Sequence, residues 1–275
     1  LVAALGLSLA TNISYAVALK GTVARPIPLW PATEVQLAMC FSNVIIPVVG
    51  GFGLQVRFLQ EEGADLPTAV AAGGLLSSVA TVLTQLPMFL LGLWLSPRAV
   101  TIGGISTERL LGMAGLALVG AAVVAALLAL VPRLRSLAHT FVRGATDTFL
   151  TALRSPRQLA LLVGGNAATG LLYALSLWMC LYAFGVHPPF LTVMAINMGV
   201  SFAGALIPLP GGGSSTRAVG LTALIAGLGV HAQVAVAATL AYQLVGTYVP
   251  AALGWPATRD LLTNRWAATN HSDVT

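Results

Sequence analysis

Uncharged apolar stretches alternate with short charged ones along the whole chain. Residues 1–19, 35–56, 66–97, 110–132, 158–216 and 232–258 carry no Asp, Glu, Lys or Arg. Each reaches or exceeds the ~20 residues that cross a hydrocarbon core as a helix. They are runs of Ala, Leu, Val and Gly without the polar–apolar alternation of a barrel strand. The pattern predicts an all-α, polytopic helical membrane protein.

Breakers divide these stretches further. A first span ends near Leu19, and a loop with Lys20, Arg25 and the helix-stopping Pro26, Pro28 and Pro31 follows. A second apolar piece from Thr33 is interrupted by Pro47, Gly50, Gly51 and Gly53, then runs to Arg57 and the acidic cluster Glu61, Glu62 and Asp65. Full spans are predicted over about 67–96 and 110–131. Between 133 and 157, Leu134, Leu137, Phe141, Ala145, Phe149 and Leu153 recur every three or four residues among Arg135, Arg143, Asp147 and Arg154. That spacing predicts an amphipathic interfacial helix. A span over 159–184, a broken piece over 190–228 and a last span over 232–254 complete the chain.

The two broken pieces are alike. IPVVGGFGLQVR (residues 46–57) and IPLPGGGSSTR (residues 207–217) share Ile-Pro, two further residues, Gly-Gly, and an Arg five or six positions later. Each follows an uncharged helix and precedes a full span. Read as re-entrant hairpins, they make the first span and the span at Leu159 run in opposite directions, so the halves form an inverted repeat with the Pro-Gly-Gly turns meeting near the midplane. Repeat one would cover about 1–131 and repeat two about 158–258, with 259–275 as a tail. Lys20, Arg25, Arg133, Arg135, Arg143, Arg154, Arg157, Arg259 and Arg265 then fall on one side, and Arg98 and Arg109 on the other. The basic side is expected to be cytoplasmic, tail included, in a multi-pass cell (plasma) membrane protein.

Composition agrees, with 57% hydrophobic and 8% charged residues and a net charge of +5. A basic balance can mark nucleic-acid binding, but these arginines flank spans, so none is expected here. Cys40 and Cys180 sit in apolar segments without a C-x-x-C partner, which leaves them as packing residues. The chain opens on Leu1 in apolar sequence without a basic lead-in, as a piece of a larger protein would.

Chemistry concentrates at the turns. Unwound backbone at membrane depth requires protein burial or a cavity. Gly50, Gly51, Gly211 and Gly212 allow close approach, and Pro47, Pro208 and Pro210 break the helices. Half-helices beginning near Gly53 and Ser214 would aim free N–H groups at an anion such as a phosphate. Arg57 and Arg217 would add charge, since an arginine in the apolar layer costs at least ~2.5–3.5 kcal/mol and normally faces a cavity or partner. The bland alternatives are pairing of Arg57 with Glu61 and capping of a neighbouring helix by Arg217. Asn43, Gln55, Gln85, Asn166, Asn197 and Gln243 are polar positions within spans. Most should hydrogen-bond between helices, while Asn43 and Gln55 flank the first turn and could reach a head group. The acids all lie in or near predicted loops, and His139, His187, His231 and His271 are scattered. This segment is therefore expected to be non-enzymatic, with no cofactor and no metal.

SNVIIPVVGGFGLQVRFLQEEG (residues 42–63), IPLPGGGSSTRAVGLTALIAGLGV (residues 207–230) and LAYQLVGTYVPAALGW (residues 240–255) occur in the order and spacing of the lysylphosphatidylglycerol synthase transmembrane family, which the chain resembles. The resemblance spans nearly the whole chain and implies movement of a lipid between leaflets, with catalysis in a separate soluble domain. The family often has an acid at the position of Arg217 and an Arg at that of Gln243, after Tyr242. Both changes together imply that these positions are neighbours and favour an anionic head group. The expected substrate is an anionic phospholipid or polyprenyl-phosphate-linked lipid. A fused or associated synthase domain and a homodimer are candidate partners. Two alternatives are a non-catalytic scaffold of a lipid-modifying synthase and a membrane-embedded enzyme on a polyprenyl-linked substrate.

Overall fold

The computed structural model describes residues 1–23, 25–46, 49–95, 155–206, 212–261 and 263. Their regular structure is helical throughout: α1 (Val2–Lys20), α2 (Leu29–Ile45), α3 (Val49–Glu61), α4 (Leu66–Val70), a π-turn at Ala71–Leu76, α5 (Ser77–Leu95), α6 (Pro156–Ala183), α7 (Phe190–Leu206), α8 (Gly212–Gly227), α9 (Ala232–Gln243), a second π-turn at Leu244–Tyr248, and α10 (Val249–Asp260). Among the described residues, Val2–Lys20, Pro156–Ala183 and the continuous Ala232–Asp260 are long and apolar enough to cross a membrane. The expected span at 110–131 and most of the expected interfacial helix at 133–157 lie outside the described residues, as does the tail from 264 onward.

Local signals explain the helix ends. Ser155 caps α6 by accepting a hydrogen bond from the Gln158 backbone N–H, and Pro156 fills the first helical position, where no N–H is needed. Gly63 ends α3 and Gly185 ends α6, both in the left-handed region at φ 87° and 75°. In each the following N–H reaches back into the last turn, Ala64 to Leu59 O and Val186 to Leu181 O.

α1 and α6 form the central pair and run antiparallel. Ser176 Oγ donates to Ala4 O at one end, Gly165 meets Ala18 near the other, and Gln158 Nε2 donates to Val23 O beyond it. Small residues permit this approach, as in membrane helices generally. The chain reverses twice between shorter helices. Asn43 Oδ1 accepts from the Gly51 N–H at 3.0 Å across eight positions, whereas a straight helix would rise about 12 Å over that interval. α3 therefore folds back on α2, and α8 folds back on α7 in the same way.

The two halves grip each other reciprocally. α2 packs antiparallel on α10, with Gly254 against the Leu37 carbonyl, Phe41 edge-on to Trp255, and Thr258 Oγ1 donating to Ala38 O. α7 packs antiparallel on α5, where Gly92 meets the Leu191 carbonyl and Ala195, and Phe89 covers Gly199. One buried apolar cluster gathers Leu177, Leu181, Val193, Leu221 and Ile225, and another Leu19, Val35, Phe58, Leu59 and Leu261. The polarity gradient suits a lipid surround. Trp30, Leu83, Trp94 and Val219 are exposed, while Ser8, Thr11, Asn166, Thr169, Ser176 and Asn197 are buried.

Candidate functional site

The chain-reversal at α7–α8 brings Arg217 into the interior. Its Nη2 donates to Asn197 Oδ1 of α7 at 2.8 Å and to the Tyr242 hydroxyl of α9 at 3.1 Å. Its guanidinium carbon lies 5.3 Å from the centre of the Tyr173 ring of α6 and 5.8 Å from that of Tyr242. The rings and the amide oxygen are neutral partners, and among the described residues no carboxylate pairs with this arginine. Its Nε is wholly buried without a hydrogen-bond partner. A guanidinium has five N–H donors, so capacity for an anion remains.

Tyr173 also lines a cavity of about 310 Å³. α1 supplies Asn12 and Tyr15, α2 supplies Gln36, Cys40 and Asn43, and Gln55 and Ser77 close it from the α3–α5 segment. Tyr15 and Tyr173, edge-on with ring centres 6.4 Å apart, both line it, and the Tyr173 ring also meets Arg217. Leu19 and Met39 complete a lining that mixes polar and apolar side chains and carries no charge among the described residues. The Cys40 thiol donates to Asn12 Oδ1 at 3.3 Å, while Cys180 packs in the apolar core.

The first Pro-Gly-Gly segment differs from its sequence expectation. Gly50 and Gly51 stand inside the first turn of α3, not in an unwound turn, and neither has a positive φ. Their N–H groups are occupied, Gly50 by Ile46 O and Gly51 by Asn43 Oδ1, so they are not free for an anion. The glycines serve close packing instead, since a Cβ on Gly50 would fall 2.6 Å from the Ser42 carbonyl oxygen. Arg57 is 44% exposed, and its Nε lies 3.8 Å from Glu61 Oε1 one turn on, as in the bland alternative. Gln55 Nε2 donates to Gly73 O within the first π-turn at 2.9 Å.

The second segment is described in part. Pro47, Pro208, Pro210 and Gly211 lie outside the described residues. α8 begins at Gly212, two residues before the expected Ser214. Gln243 is buried and accepts from Thr247 Oγ1 at 3.2 Å. Its chain neighbour Tyr242 is the residue of this segment that bonds Arg217.

Asn12, Tyr15, Gln36, Ser77 and Tyr173 line the cavity without having been singled out. A signal for two of them was present, since Asn12 and Gln36 are carboxamides in apolar spans. Tyr173 sits in mid-span, away from the interfacial belt where tyrosine is usual.

No curated protein and no solved structure matches the chain. A family model does, that of the lysylphosphatidylglycerol synthase TM region, over residues 1–254. With helices of membrane-crossing length and a match over nearly its whole length, this chain belongs to the lysylphosphatidylglycerol synthase TM region family.

Proposed function

We propose that this domain is a membrane lipid translocase that moves an anionic lipid between leaflets, with no catalytic step of its own. Arg217 carries the proposal, a cation inside an apolar helical bundle whose partners among the described residues are all neutral, beside a cavity lined in part by carboxamides. Such a charge is costly to keep in a membrane, and a transported anion offsets the cost. Arg57 is the weaker candidate because Glu61 already engages it.

The two helical reversals are read as re-entrant hairpins of an inverted repeat. Antiparallel packing of α1 on α6 supports this, as does the reciprocal pairing of α2 with α10 and α7 with α5. An alternating motion of one half against the other would carry the head group past Tyr173. The domain is placed in the plasma membrane as a multi-pass protein with its C-terminus cytoplasmic, and any synthase activity is assigned to a separate domain.

The test is reconstitution of the purified chain in vesicles with fluorescent phosphatidylglycerol in one leaflet. The parent protein should move it, Arg217→Lys should keep part of the rate, and Arg217→Gln should lose at least about tenfold, because the point charge survives only in the first. Arg57→Gln should stay within about twofold, as expected for an exposed ion pair. Unaltered movement by folded Arg217→Gln protein would remove the basis of the proposal.

A further inference from the structure

The cavity beside Tyr173 carries more information than its size. At about 310 Å³ it stands at the lower end of ligand pockets, with room for a head group and not for a whole lipid. Gln36, Asn43 and Gln55 present carboxamides to it, with the Ser77 hydroxyl beside them.

The existing hydrogen bonds fix which end of two carboxamides remains available. Asn43 turns its oxygen to the Gly51 N–H, which leaves its NH₂ to donate. Gln55 spends its NH₂ on the Gly73 carbonyl, which leaves its oxygen to accept. Gln36 makes no hydrogen bond to the described residues and offers both ends. Donors and acceptors thus lie side by side without a charge. Hydroxyl groups, which donate and accept at once, match this lining.

An ammonium head group does not match it. No carboxylate lines the cavity among the described residues. Of the two rings that line it, Tyr173 already faces a cation, with the Arg217 guanidinium 5.3 Å from its centre. A second cation beside this ring would meet like-charge repulsion from Arg217 in surroundings of low polarity.

We propose that this cavity is the head-group subsite for a phosphate-bearing lipid whose head group is a neutral polyol or sugar. Gln36, Asn43 and Gln55 hold its hydroxyls, and Arg217 draws its phosphate. The assignment rests on the translocase reading for the direction of travel, but not for the binding preference. A glycerophospholipid and a polyprenyl-phosphate-linked sugar both carry this chemistry.

Native mass spectrometry of the full chain in detergent separates the possibilities. The probes are phosphatidylglycerol, phosphatidic acid and phosphatidylethanolamine with identical acyl chains, and a polyprenyl-phosphate-linked hexose. Phosphatidylglycerol, the hexose lipid or both should be retained at about tenfold lower concentration than phosphatidic acid and phosphatidylethanolamine, the margin that one or two hydrogen bonds supply. Which of the two is retained identifies the source. Gln36→Leu should cut that margin about fivefold to tenfold while leaving phosphatidic acid unchanged. Gln36→Glu, which sets a carboxylate in the cavity, should shift retention toward phosphatidylethanolamine. Equal retention of all four lipids by the parent overturns the subsite. So does an unchanged margin in helical, monodisperse Gln36→Leu or Gln36→Glu protein. A clear margin without leaflet exchange in vesicles overturns the translocase reading and upholds the subsite, whereas leaflet exchange without any margin does the reverse.

Discussion

A Cβ on Gly165 would stand 2.6 Å from the backbone nitrogen of Ala18, so α1 and α6 touch backbone to backbone at this point. Gly164, one residue earlier, has nothing within 4 Å of the same position. The neighbours therefore make a matched pair. Gly165→Ala should destabilise by about 1–3 kcal/mol through overpacking. Gly164→Ala should be neutral or stabilising by up to about 1 kcal/mol, since helical glycine is entropically costly. Thermal unfolding of both variants in one detergent checks this, and equal midpoints would contradict the close crossing.

Asn43 holds the start of α3 by accepting from the Gly51 N–H. Asn43→Leu should cost about 0.5–2 kcal/mol, the usual value for a lost helix cap, and Asn43→Asp should keep the bond. Hydrogen exchange reads the site directly. The Gly51 amide should exchange faster in Asn43→Leu than in the parent, and an unchanged rate would show that the cap carries no weight.

Asn197 is the position from which the Arg217 charge can be cancelled. Asn197→Asp would set a carboxylate where the amide oxygen now lies 2.8 Å from Nη2. An ion pair at that distance satisfies the guanidinium internally, so the variant should unfold no earlier than the parent and lose anionic-lipid movement by at least about tenfold. Movement at the parental rate would mean that the charge on Arg217 is not what the lipid meets.

Lys20 ends α1 and His187 follows α6, an exposed residue whose ring packs edge-on to Tyr182. From the charge asymmetry of the sequence, Lys20 is expected inside and His187 outside. A cysteine replacing His187 should react with an impermeant maleimide in intact right-side-out vesicles, and one replacing Lys20 only after permeabilisation. The opposite result would invert the topology.

Several elements were legible before any coordinates. The expected spans over 1–19, 159–184 and 232–254 correspond to α1, α6 and the continuous α9–α10 stretch, because span length and charge-free composition are properties of adjacent residues. Gly50 and Gly51 were legible as a break but not in their role. A glycine pair reads the same whether it frees N–H groups or admits a carbonyl, and only the position of Ser42 and Asn43 decides. In sequence Arg57 reads as the phosphate-binding residue and Arg217 as the more ambiguous one, but their surroundings favour the second, since Glu61 lies one turn from Arg57 while Asn197, Tyr173 and Tyr242 reach Arg217 from three other helices. The cavity escaped notice for the same reason. Its lining residues form one face of α1 (Asn12, Tyr15, Leu19) and one of α2 (Gln36, Met39, Cys40, Asn43), but no spacing along the chain brings those faces to Tyr173.

The grip of α10 on α2 also has a consequence in time. Thr258 and Ala38, which join the two helices, are 220 residues apart. At a synthesis rate of ~5–20 residues per second, roughly 10–45 s pass between the emergence of one and of the other. During that interval α2 lacks the glycine-lined surface that finally covers its Leu37 carbonyl. That face of the nascent chain stays open to the surroundings until then. Completion of the α2 packing thus waits on a helix made more than two hundred residues later.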